Sequence, residues 1–161
     1  MFKGKKTTEL LSQVKVFQGL ERADLKMISD VCERIAFERG ETLIRAGQLS
    51  PGLYILVKGE VKVLLPERLK GGKAHRPSEV NLNTLRQGDC FGEYSLLEKS
   101  PASASVVGAQ AGEVLRIPEP GFNRIMADDR IGRTVYRNLL HILIKRLRKK
   151  EEELDLVLVA G

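Results

Sequence analysis

The spacing of apolar positions along the chain changes twice, from helical at the start to a two-residue alternation in the middle and back to helical at the end. Leu10, Leu11 and Val14 make a short apolar stripe, and Val16-Phe17-Gln18-Gly19-Leu20 interrupts it with a turn. Leu25, Ile28, Val31 and Cys32 then recur at helical spacing, with Asp24 among the early positions of that helix. From residue 35 to residue 117 short apolar runs are punctuated by Gly40, Gly47, Gly52, Gly59, Gly88, Gly92, Gly108 and Gly112. Val61, Val63 and Leu65 share one face opposite Lys62, and Val80 and Leu82 alternate with Asn81 and Asn83. Residues 53–57 are continuously apolar, as in a strand buried on both faces. Many short strands with regular glycine turns predict a mainly β fold, an antiparallel jelly-roll barrel, flanked by N- and C-terminal helices.

Pro118 and Pro120 end the last strand, and Phe122, Ile125 and Met126 form a short helical face. A long helix is predicted from about Ile131, where Tyr136, Leu140, Leu143, Leu147, Leu154 and Val157 fall on alternating four- and three-residue steps broken only at Lys150. Such a seam packs on its own barrel or on a second copy of itself, and a homodimer through this helix is the expectation. The chain divides accordingly into a β-roll with its N-terminal helices, 1–129, and a long helix with its tail, 130–161.

The 161 residues suffice for one domain with a buried core, and 42% hydrophobic with 30% charged residues is ordinary for a soluble globular protein. No apolar run reaches membrane-spanning length and no signal-like segment follows Met1, so a cytoplasmic protein is expected. The net charge of +6 owes much to Lys145, Arg146, Arg148, Lys149 and Lys150. Their position near a helix end, followed at once by Glu151, Glu152 and Glu153, reads as a solvated face, and no specific nucleic-acid binding is expected. Cys32 and Cys90 lie far apart, and His75 and His141 have no partners at metal-ligand or triad spacing. With no phosphate-loop or nucleophile-elbow motif either, an enzyme is not expected.

The most informative stretch is Asp89-Cys90-Phe91-Gly92-Glu93-Tyr94-Ser95-Leu96-Leu97, followed by Ser100-Pro101-Ala102-Ser103-Ala104-Ser105-Val106. It resembles the phosphate-binding cassette of the cyclic-nucleotide-binding domain family, of the bacterial catabolite-activator or channel type. Three further segments are similar to the family in the same order. Phe37-Glu38-Arg39-Gly40-Glu41-Thr42-Leu43-Ile44-Arg45-Ala46-Gly47 matches its early hairpin, and Leu53-Tyr54-Ile55-Leu56-Val57-Lys58-Gly59-Glu60-Val61-Lys62-Val63 its next one. Leu85-Arg86-Gln87-Gly88-Asp89 leads into the cassette. The resemblance implies a regulatory sensor whose ligand is cAMP or cGMP, with no cofactor, relaying occupancy through its C-terminal helices to an unknown output protein.

Under that resemblance a short helix begins after Phe91-Gly92-Glu93, offering the backbone N–H groups of Tyr94 and Ser95 to the cyclic phosphate. Glu93 accepts from the ribose 2′-hydroxyl, and the Ser103 hydroxyl faces the phosphate or base. The alternative for Glu93 is a carboxylate satisfied by backbone donors in an empty pocket. Ala102 stands where the family has the arginine that pairs with the phosphate. Truncating one partner of a buried hydrogen-bonded charge pair costs about 2–5 kcal/mol. Lys99 is the nearest cation in sequence to stand in for it, with Arg86 and Arg116 more distant, but an exposed Lys99 is the expectation ahead of a phosphate ligand. The alternative reading is a degenerate domain without cyclic-nucleotide binding, serving as a dimerisation or partner-docking scaffold. A DNA-binding regulator ranks third, because the chain reaches Gly161 without a helix-turn-helix after the long helix.

Overall fold

The computed structural model describes residues 2–67 and 80–161, with side chains from residue 6 onward. Residues 68–79, which carry His75 and the basic residues Arg68, Lys70, Lys73 and Arg76 between Val63 and Val80, lie outside the described residues. Two helices, α1 (Phe2–Ser12) and α2 (Arg22–Val31), are joined through a 3-10 turn at Lys15–Phe17. Five strands follow, β1 (Glu33–Phe37), β2 (Thr42–Ile44), β3 (Gly52–Leu65), β4 (Val80–Leu85) and β5 (Cys90–Phe91). The short helix α3 (Glu93–Glu98) precedes the last strand, β6 (Ser105–Pro118), and the chain finishes with α4 (Glu119–Met126) and α5 (Asp129–Ala160). This is the predicted element order.

All six strands belong to one antiparallel sheet with the path β1-β6-β3-β4, β2 pairing with β6 and β5 with β3. The sheet forms a jelly-roll-like layer whose hydrogen-bonded path does not close into a ring among the described residues. The continuous apolar run of β3 is buried on both faces, as its pattern requires. Leu53 and Ile55 join a core with Leu11, Phe17 and Ile28 of the N-terminal segment and Val135 and Leu139 of α5. Tyr54 and Leu56 join a second core inside the roll with Phe37, Ile44, Phe91 and Val114. The Tyr54 and Phe91 rings stack there at 4.9 Å between centroids.

Two predicted hairpins are longer ladders instead. β3 runs unbroken through Gly59, and its pairing with β6 shifts register on either side of that residue. Gly59 has φ +87°, and a Cβ there would lie 2.6 Å from the Ala111 carbonyl oxygen, so the glycine bends the strand where two backbones nearly touch. β1 and β2 likewise do not pair with each other: residues 33–37 and 42–44 lie one after the other along β6. Gly40 N donates to Gly108 O, and Gly108 N to Glu41 O, both at 2.8 Å, holding the intervening turn onto β6.

A capping box starts α2, with Glu21 N donating to Asp24 Oδ2 at 2.9 Å. The same carboxylate receives Arg130 Nη1 at 2.8 Å and Nη2 at 2.6 Å, tying α2 to the first turn of α5. That pairing with Arg130 holds the Asp24 carboxyl below its ordinary value.

Candidate ligand pocket under the C-terminal helix

The pocket begins with the conformation of one glycine. Gly92 precedes α3 with φ +86°, and a Cβ there would lie 2.7 Å from the Gly52 carbonyl oxygen and 2.8 Å from Ser50 Oγ. Only glycine fits, and the tight turn it makes sends Glu93 inward, 3% exposed. Ser95 is buried one turn-step further on, and Tyr94 is exposed. The opposite wall is the segment 101–104, pinned to the chain before β3 by Gly47 N donating to Ala102 O at 2.7 Å and Ala102 N to Gln48 O at 2.8 Å. Ala102 is half-buried against the inner core, while Ser103 is exposed at the rim.

Together these elements enclose a cavity of about 290 Å³ whose walls are largely apolar, with Ile44, Val63, Leu85, Phe91 and Val106 among them. A mostly apolar cleft with a few converging polar groups is the ordinary form of a small-molecule site. The structure thus brings together all seven predicted site residues, Phe91, Gly92, Glu93, Tyr94, Ser95, Ala102 and Ser103, on one cavity.

None of the three cations considered for the place of the missing arginine reaches the cavity, and Lys99 is exposed as expected. Lys99 closes α3 with φ 53°; Arg86 pairs with Glu60 at 3.5 Å and Arg116 with Glu33 at 2.5 Å. The roof of the cavity is α5, through Leu143, Arg146, Leu147 and Lys150. Arg146 Nη1 donates to Glu93 Oε1 at 2.8 Å, and Nη2 to Cys90 O at 2.5 Å. One turn on, Lys150 Nζ donates to Leu82 O of β4 and, at 2.6 Å, to Glu153 Oε2. The basic cluster is therefore not uniformly a solvated face. Lys145, Arg148 and Lys149 are exposed as expected, but Arg146 and Lys150 turn inward.

Burial pushes the Glu93 carboxyl up from its ordinary value, and Arg146 pulls against that shift. Burial also pushes the Cys32 and Cys90 thiols up to about 12, with Glu93 adding to the rise at Cys90, so neither is a nucleophile at neutral pH. No group of three or more His, Cys, Asp or Glu stands close enough to hold a metal among the described residues.

The sequence profile of the cyclic nucleotide-binding domain family matches residues 34–129. A CRP-like cAMP-activated global transcriptional regulator of Mycobacterium tuberculosis is 26% identical over 150 residues, covering 92% of this chain and 62% of that protein. The cGMP-dependent protein kinase egl-4 of Caenorhabditis elegans is 29% identical over 119 residues, covering 73% of this chain and 14% of the kinase. The chain thus spans less than two thirds of either relative. The crystal structure of the Thermus thermophilus catabolite activator protein superposes with a TM-score of 0.69 at 29% identity, over 89% of this chain and 62% of that one. Cassette, fold and sequence agree, and the chain belongs to the cyclic nucleotide-binding domain family.

Proposed function

We propose that this protein is a regulatory module that binds cAMP or cGMP in the cavity under α5 and relays occupancy through that helix. The observation that carries this reading is the buried Glu93 carboxylate, held at the cavity wall by a glycine-only turn, beside the start of α3 and opposite Ser103. A buried carboxylate is a strong acceptor for a sugar hydroxyl, and Phe91, Gly92, Tyr94, Ser95, Ala102 and Ser103 shape the space around it. Residues 1–129 act as the sensing body and 130–161 as the relay, acting in the cytoplasm on an output protein and without catalysis of its own. No helix among the described residues is long and apolar enough to cross a membrane.

A ligand that prefers the docked position of α5 shifts its population by the difference in affinity between the two positions. The apolar seam of α5 supports pairing of two copies, because Tyr136, Leu140, Leu147, Leu154 and Val157 are exposed along it, with Leu143 half-buried. A scaffold without cyclic-nucleotide binding is the second reading, favoured by the absence of a cation at Ala102 and by the existing partner of Glu93.

The test is thermal unfolding of the wild type and of Ala102→Arg with excess cAMP or cGMP. A ligand preferring the native state raises Tm, by about 2.7 kcal/mol of added stability at a hundredfold excess over Kd. Ala102→Arg is expected to strengthen binding by about 2–4 kcal/mol through a forked charge-assisted contact, less the cost of ordering the side chain. No shift in either protein would favour the scaffold.

A further inference from the structure

The wall formed by Ala102, Ser103, Ala104 and Val106 carries no charged side chain. Among the described residues the charged groups lining the cavity are Glu93, Arg146 and Lys150. Glu93 and Arg146 neutralise each other, so the further positive charge lining the cavity is Lys150, whose own carboxylate partner, Glu153 at 2.6 Å, is half exposed and outside the cavity lining. Both cations are half-buried and sit four residues apart on α5, hence on one face of it. Arg146 commits an Nη1 and an Nη2 hydrogen to Glu93 and Cys90, and a guanidinium carries five N–H donors, so donors remain for a ligand. Lys150 bonds to the Leu82 carbonyl and to the Glu153 carboxylate; the latter is a solvent-exposed i,i+3 pair of the kind worth little, and the long lysine stem lets the ammonium turn to an anion in the cavity.

We propose that the counter-charge for the ligand's anionic group is supplied by the output helix, through Lys150 and Arg146, in place of a cation on the sheet wall. The proposal rests on the cyclic-nucleotide reading and deepens it, the anion being the cyclic phosphate. A cation on the sheet stays beside the anion whether or not α5 is docked. Cations on α5 leave with the helix, so the undocked state loses the charge contact altogether. Anion binding and helix docking thereby become one equilibrium, and the missing arginine at Ala102 strengthens the coupling while lowering the affinity.

Calorimetry on the full chain with cAMP and cGMP at fixed salt tests this in the wild type, Lys150→Gln, Lys150→Arg, and Lys150→Gln combined with Ala102→Arg. Lys150→Gln, checked for an unchanged fold by circular dichroism, is expected to weaken binding about 10- to 100-fold, the scale of one lost charge-assisted hydrogen bond. Lys150→Arg keeps the charge and stays close to the wild type. The double variant regains affinity, yet the ligand no longer protects the amides of residues 145–160 from hydrogen exchange as it does in the wild type. Wild-type binding with Lys150→Gln unchanged in affinity would overturn the proposal and leave the cyclic-nucleotide reading standing. Failure of the wild type and of Ala102→Arg alike to bind either nucleotide would overturn both.

Discussion

The two halves of α5 belong to one uninterrupted helix and are held in place by different physics. Residues 129–139 start on an Asp128 cap, whose carboxylate accepts from Arg130 N and Ile131 N at 3.0 Å, and bury Ile131, Val135 and Leu139 against the N-terminal helices and α4. Asn138 Nδ2 adds bonds to Val16 O at 3.0 Å and Gln18 O at 2.8 Å. Residues 140–160 bury no side chain fully, and Leu154, Leu156 and Val159 are 58%, 71% and 86% exposed. Ile142 packs at the edge of the main core, and the other attachments to the body run through the cavity, where Leu143 and Leu147 roof it and Arg146 and Lys150 reach Glu93, Cys90 and Leu82. Buried apolar packing fixes the first half, while the second half is held by a few partly buried apolar side chains and by the polar contacts of Arg146 and Lys150 at the cavity. Most helical stability in proteins comes from tertiary packing of an amphipathic face, and this segment has little of it.

The largest effect that separates the halves is core truncation. Leu139→Ala removes a fully buried side chain and is expected to lower stability by about 2–5 kcal/mol, read from urea unfolding. Leu156→Ala, in the exposed half, is expected to stay within about 0.5 kcal/mol of the wild type. Equal losses would mean that the second half is packed as firmly as the first.

A smaller effect sharpens the latch itself. Arg146→Gln leaves Glu93 buried with its main partner gone, and an unsatisfied buried charge costs about 2 kcal/mol. Burial already raises the Glu93 carboxyl, and losing Arg146 raises it further. A group whose folded value lies above its unfolded one favours the fold at low pH and loses that contribution as pH rises through the folded value. The deficit of Arg146→Gln relative to the wild type is therefore expected to be small near pH 4.5, the ordinary value of the carboxyl, and to grow toward pH 8. A deficit independent of pH, in urea midpoints across that range, would assign the cost to packing.

The smallest effect on the fold concerns the exposed positions of the seam. Leu140→Asp with Leu154→Asp changes two exposed residues, 57% and 58% accessible, and is expected to leave the unfolding midpoint of the single chain nearly unchanged. The same pair abolishes self-association in sedimentation if two copies meet along this face. A wild type that remains monomeric at high concentration removes the dimer.

The apolar spacing carried the fold because β3, α2 and the start of α5 are held by side chains whose period matches their burial. The cassette was equally legible: a φ of +86° at Gly92 leaves a sequence signature, since no other residue takes that turn against Gly52 and Ser50. Gly59 and residues 37–47 misled because a glycine marks a bend and a hairpin alike, and only pairing with β6 distinguishes them. Arg146 and Lys150 were hidden inside a basic run whose composition says nothing about which members face inward. Their one visible trace is Lys150, the polar break in the apolar seam, on the face that Leu143 and Leu147 turn to the cavity.

Hydrogen exchange along α5 tests the difference between its halves most directly. In the wild type without ligand, amides of residues 133–139 are expected to exchange only on global unfolding, and those of residues 145–160 through a much cheaper local opening. Excess cAMP or cGMP should slow the second group selectively, and Arg146→Gln should speed it selectively. Equal protection of both halves, unchanged by ligand and by Arg146→Gln, would contradict the account of α5 as a helix packed at one end and latched over a ligand pocket at the other.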